Sequence, residues 1–185
     1  MASPATVDLV PIYLTDYPRM TDAVGVALRE RLGLRVRLRK PWFDPEAAYD
    51  LARGQYSSRV LLELLLDDPD PGSARIVAIT TIDLFAPVLT YVFGEAQLDG
   101  RAAVVSLHRL RPEAYGLACD ERLVRARLVT ETVHELGHTF GLLHCNESSC
   151  VMHPSTYAEE IDQKTDRFCD LCSSLLSRVS PPAIC

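Results

Sequence analysis

Apolar residues recur along this chain in two rhythms, every second position in some stretches and every third or fourth in others. A period of two belongs to strands and one near 3.6 to helices, so the pattern divides the chain into elements. Residues 7–14 read as a first strand, in which Pro11, lacking an N–H, suggests an edge or a bulge. A helix follows to about Leu32: Thr21 and Asp22 are possible caps, Val24, Leu28 and Leu32 form one stripe, and Gly33 supplies the stop. Residues 34–39 alternate apolar and basic, the mark of a half-exposed strand with Arg35, Arg37 and Arg39 on a solvated face.

Residues 46–66 predict a helix interrupted near Gly54, with Val60, Leu61, Leu64 and Leu65 as its buried stripe. Residues 67–72, rich in Asp, Pro and Gly, form the clearest loop. Residues 74–84 are a β-rich apolar run suited to a central strand. Residues 90–93 and 102–107 flank the turn-prone Leu98-Asp99-Gly100 and predict a hairpin-like pair. Asp120 can then cap a long helix, with Glu121 favourable near its positive end. Val129, Val133, Leu136 and Phe140 fall at helical steps along the buried stripe of that helix.

A length of 185 residues fits one domain, or one domain split into two lobes by a cleft, and suffices to bury a core without disulfides. The net charge of −6, with no basic cluster, argues against nucleic acid as a partner. No basic segment precedes an apolar run at the N-terminus, and the densest apolar run, 60–66, includes Glu63. Neither a secretory signal nor a membrane span is expected, which points to the cytoplasm. There, the six cysteines are thiols or metal ligands rather than disulfides.

The chemistry concentrates in one stretch of the capped helix. His134 and His138 stand four residues apart, so they project from one face, off the buried stripe, and can bind one zinc ion. Glu135 beside the first reaches a water on that ion, and Gly141 can end the helix so that the chain turns and delivers His144 as a third ligand. Three of the five histidines in the chain are used in this way. Three protein nitrogens and one open position describe a catalytic zinc site, whereas structural zinc is enclosed by four protein ligands.

A second metal site is predicted directly after it. Cys145 and Cys150 form one short-spaced pair and Cys169 and Cys172 another, with 18 residues between the pairs, a good tetrahedral cage for a structural zinc. Cys145 adjoins His144, so this cage pins the segment that supplies the third histidine. Cys119 and Cys185 lack such a partner and read as free thiols.

HExxHxxGxxH with a downstream methionine, Met152, resembles the metzincin clan of zinc peptidases. Within it, a cysteine directly after the third histidine, then x4-Cys-x-Met and a later CxxC, is similar to the archaemetzincin (archaelysin) family. The 16 residues between Met152 and Cys169 are close to the usual gap, and residues 90–96 and 106–110 also look like that family. The resemblance implies an α/β (α+β) metzincin-like domain: a twisted mixed sheet with helices, the zinc helix, and a small C-terminal lobe, dividing the chain near 143/144. It also implies Met152 as an apolar floor beneath the histidines. Clan members that stabilise an oxyanion with tyrosine place it two residues after the methionine, where Pro154 stands here; His153 and Tyr157 are nearby but do not match by position.

The reading is a monomeric zinc peptidase with two zinc ions, one catalytic and one structural, acting on a peptide or small protein, with Glu135 as general base. An edge strand before the zinc helix would receive the peptide by backbone pairing. A zinc hydrolase of small amides, a weakly active peptide-binding protein and a purely structural two-zinc domain are the alternatives. Glu95 and Asp83 are candidate holders of a substrate amine, with structural roles the more common for such residues.

Overall fold

The computed structural model describes residues 5–14 and 18–179; most of the N-terminal segment read for a signal, and Cys185, lie outside them. In chain order the elements are β1 (Thr6–Ile12), α1 (Pro18–Leu32), β2 (Arg35–Leu38), β3 (Tyr49–Asp50), β4 (Gln55–Ser57), α2 (Ser58–Leu66), β5 (Arg75–Thr80), β6 (Leu84–Phe85), β7 (Gly94–Ala96), β8 (Ala102–Ser106), α3 (Glu121–Thr139), α4 (Ala158–Ile161) and α5 (Asp170–Val179). The main sheet has the order β2-β1-β5-β8-β7, parallel except for β7, which runs antiparallel to β8. A smaller sheet, β3-β4-β6, lies beside it.

Both faces of the main sheet are buried, as expected where parallel strands carry helices on each side. Val7 and Leu9, Val77 and Ile79, and Ala103 and Val105 point into one core with residues of α1 and α3. Val10, Ile12, Ile76, Ala78, Ala102 and Val104 point into the other, against α2. The first core continues without a break to Val151, Met152, Ala158, Ile161 and Cys172. The chain after His144 is therefore packed onto the same helix that the sheet supports. Among the described residues no helix is long and apolar enough to cross a membrane.

Several local expectations are corrected. Residues 49–57 are not helical: Gly54 takes φ +65° in the turn joining β3 to β4, and the Tyr49 and Tyr56 rings meet across the strands at 4.9 Å. The strand of the hairpin before β8 is Gly94–Ala96 rather than 90–93, of which Val92 makes only an isolated bridge to Leu84. The arginine face of β2 is not simply solvated. Arg37 and Arg39 bond the fully buried Asp8 carboxylate, each at 2.7 Å, while Arg39 also reaches Asp68 at 3.0 Å. Pro11 lies within an inner strand, but beyond Leu9, the last β1 residue in register with β2, so its missing N–H leaves no ladder bond to β2 unmade.

Candidate active site

The Asp120 side chain starts α3 by accepting from the Leu123 N–H at 3.0 Å, a cap worth about 1 kcal/mol. Apart from half-buried Val129 and His138, every residue from 127 to 140 is buried. The predicted stripe is thus only one side of a helix covered twice, by the sheet and by the chain following His144. Gly141 ends the helix at φ +83°, a conformation that disfavours side chains, and the Leu142 N–H donates back to the Gly137 carbonyl at 3.1 Å.

This turn also orients a histidine. The Leu142 carbonyl lies 2.8 Å from His138 Nδ1, and the Val151 carbonyl lies 2.7 Å from His134 Nδ1. A carbonyl oxygen only accepts, so both Nδ1 atoms carry the proton and both Nε2 atoms present bare lone pairs. Those two Nε2 atoms face each other at 3.1 Å. Burial lowers the pKa of both imidazoles, which disfavours a proton between them. The His144 ring stands 5.4 Å from that of His134 and 5.0 Å from that of His138. One nitrogen from each of the three lies within 4.8 Å of the others. Zn–N bonds of about 2.0–2.1 Å at tetrahedral angles separate nitrogens by about 3.4 Å, so this donor set fits zinc.

Glu135 is buried and lines the same cleft, of about 660 Å³, as the three histidines. Burial drives its carboxyl well above the ordinary range; Glu131 and Glu95 add to that and Lys164 opposes it. A dication on the adjacent imidazoles favours the carboxylate form. Glycine at position 94 makes room for this side chain: a Cβ there would meet Glu135 Cγ and Oε1 at 2.7 Å and the Val104 carbonyl at 2.8 Å. Met152 is fully buried and packs against Gly137 of α3, the helix that carries His134 and His138.

Cys145, Cys150, Cys169 and Cys172 converge with their sulfurs within 4.8 Å of one another. Cys145 Sγ and Cys169 Sγ are 3.8 Å apart, too far for a disulfide of about 2.05 Å. It is also the edge of a tetrahedron with Zn–S bonds of about 2.3 Å. Backbone N–H groups of Glu147, Met152 and Cys169 point at Cys145 or Cys150 sulfurs at 3.4 Å, as suits thiolates. Burial pushes the Cys150 and Cys172 thiols up, a tendency that a bound cation reverses. Cys119 is an exposed free thiol.

Several sequence candidates separate here. Asp83 is occupied by Arg109, at 2.6 Å, and by Gln55, so it is structural. Glu95 lines the cleft and accepts a hydrogen bond from Ser58. The His153 ring donates from Nδ1 to the Cys145 carbonyl at 3.0 Å and is absent from the cleft wall, which Pro154 and the exposed Tyr157 line. Sequence reasoning missed Gly94, Gly137, and a buried ion pair between Glu131 of α3 and Lys164 at 3.1 Å. The signal for the last was present: Lys164 is one of two lysines among 19 basic residues.

A parallel-rich sheet backing a helix with two histidines, a third histidine after a glycine turn and a glutamate beside them defines a zinc-dependent metallopeptidase. The family model for peptidase family M54 matches residues 7–178, and the chain belongs to that family. It is similar to the archaemetzincin of Methanopyrus kandleri, 46% identical over 134 residues covering 72% of this chain and 73% of that one. A crystal structure of the M. kandleri protein superposes with a TM-score of 0.84 at 38% identity, over 95% of each chain. A zinc-dependent peptidase from Methanocorpusculum labreanum superposes with a TM-score of 0.80 at 28% identity, over 92% of this chain and 99% of that one.

Proposed function

We propose that His134, His138 and His144 hold the catalytic zinc, that the four cysteines hold a second, structural zinc, and that Glu135 is the general base in peptide-bond hydrolysis. The observation carrying this is the pair of bare Nε2 atoms 3.1 Å apart in the cleft that Glu135 lines. A zinc ion bound there supplies Lewis acidity, lowering the pKa of a water and polarising the scissile carbonyl. The Glu135 carboxylate takes the proton from the attacking water and hands it to the leaving amine, acting as base and then as acid. Its confinement against Gly94 fixes where that proton is received.

Strand β7 supports a peptide rather than a small amide as substrate. The Ser106 N–H bonds the Phe93 carbonyl and the Gln97 N–H bonds the Ala102 carbonyl, so the odd-numbered residues 93–97 face β8. The backbone groups of Gly94 and Ala96 consequently point away from β8, on the outer edge of the sheet. An extended peptide added there pairs with them and lies across the cleft. Tyr91 braces the opposite wall by donating to the Thr156 carbonyl at 3.1 Å. We further propose that the protein acts as a monomer in the cytoplasm.

Glu135→Gln tests the reading. It keeps the shape of the side chain and removes the base, so zinc content should persist while hydrolysis of a peptide library falls at least ~10³-fold. Chelation should abolish the wild-type cleavage. Cleavage that survives either treatment overturns the assignment.

A further inference from the structure

Lys164 is almost completely buried: its side chain is 1% exposed, and that of its partner Glu131 is 5% exposed. Burying two charges is costly unless they are well paired, and such pairs are seldom kept for stability alone. The pair has two further connections. The Lys164 ammonium donates to the His153 carbonyl at 2.8 Å, and the His153 ring in turn donates to the Cys145 carbonyl at 3.0 Å. Cys145 follows His144, while Glu131 precedes His134 by one helical turn. A chain of polar contacts therefore runs from the helix carrying two histidines, through Lys164 and His153, to the segment carrying the third.

We propose that Lys164 is a positioning residue for the three-histidine centre, joining Glu131 on the zinc helix to the His153 turn and so fixing how His144 meets His134 and His138. A compact ammonium suits this junction because it directs three donors tetrahedrally, whereas a guanidinium presents a longer planar fork. In a chain that takes arginine for 17 of its 19 basic residues, lysine at this junction follows from that geometry. Direct contacts supply the rest of the frame: the Cys145 N–H donates to the Met152 carbonyl at 2.9 Å and the Val151 carbonyl meets His134 Nδ1 at 2.7 Å, so His153 and Lys164 add a second tie between this turn and α3.

The inference rests on the zinc assignment above, and cobalt substitution tests the two separately. Wild-type protein should show, beside the charge-transfer and intense long-wavelength d–d bands of the four-thiolate site, weaker d–d bands at shorter wavelength from the histidine site. Absence of the weaker, shorter-wavelength d–d bands in the wild type would defeat the zinc assignment itself. In E131M/K164M, which removes both charges and leaves neither unpaired, the charge-transfer bands should persist. The histidine-site d–d bands should shift, and zinc affinity at that site, read by competition with a chromogenic chelator, should fall about 10–100-fold. K164R retains the charge and should lose about 3–10-fold with the same spectral signature; it decides the matter if the double variant does not fold. Wild-type affinity and spectrum in the variant that decides, or equal losses at both metal sites, overturns the proposal, since a purely structural pair would do one or the other.

Discussion

Gly137 and Met152, far apart in sequence, touch in the fold so closely that a Cβ on the glycine would overlap the methionine sulfur and crowd Met152 Cε at 3.2 Å. The glycine sits inside α3, where it costs about 1 kcal/mol relative to alanine. It is there because the Met152 side chain comes that close. Gly137→Ala should destabilise the protein by about 1–3 kcal/mol despite the better helix propensity, and G137A/M152A should recover part of the loss. Urea denaturation of the three proteins checks this; a stabilised G137A would show that the Met152 side chain yields freely.

Gly94 stands in the same relation to Glu135 as Gly137 does to Met152. Alanine there cannot be relieved by a side-chain rotation alone, because the Val104 backbone carbonyl blocks the other side at 2.8 Å. Gly94→Ala should leave zinc bound and the fold intact but displace the carboxylate, lowering kcat by roughly 10–100-fold. A change confined to KM would instead assign Gly94 to peptide pairing along β7.

These two glycines show where sequence reading stops. The three histidines and Gly141 were legible because their geometry is local: the helical repeat brings i and i+4 together, and a positive φ asks for glycine. The cysteine pairs were legible because short spacing brings two thiols side by side, and the fold brings the two pairs together. Gly94, Gly137 and Lys164 answer to Glu135, Met152 and Glu131, which are distant in sequence, so no nearby pattern announces them. The arginines of β2 misled for a similar reason, since Asp8 and Asp68, which they pair with, lie on other segments. At 49–57 the helix-like composition lost to a turn at Gly54 and to Tyr49–Tyr56 pairing. Helix α1 starts at Pro18, ahead of the Thr21 and Asp22 read as its caps.

The Cys145–His144 junction joins the two proposed metal centres and predicts that they depend on each other. Cys172 is buried and within 4.8 Å of the other three sulfurs. Cys172→Ser removes one thiolate and should reduce zinc from two equivalents to one or fewer, with a lower melting temperature. Because Cys145 then loses its anchor, the remaining zinc should also exchange faster from the histidine site. Elemental analysis and chelator kinetics test both parts; two zinc equivalents in the variant would reject the four-cysteine cage.

Asp8 makes the acid stability of the fold predictable in sign. Burial raises its pKa, but hydrogen bonds from Arg37, Ser73 and Arg39 outweigh that and lower it from 3.8 to about 2. A carboxyl with a depressed folded pKa stabilises the protein above its unfolded pKa, and this contribution is lost as pH falls from 3.8 through about 2. At 1.36 kcal/mol per pKa unit the contribution is about 2 kcal/mol, reduced somewhat by solvent screening because the Arg37 side chain is 41% exposed. Asp8→Asn should therefore be less stable than wild type at pH 6, and the gap should narrow by about 1–2 kcal/mol by pH 2. Zinc lost in acid is lost by both proteins, so the difference between their urea midpoints isolates Asp8. A gap independent of pH would mean that Asp8 keeps its proton affinity on folding, and that Arg37 and Arg39 act on β1 through packing alone.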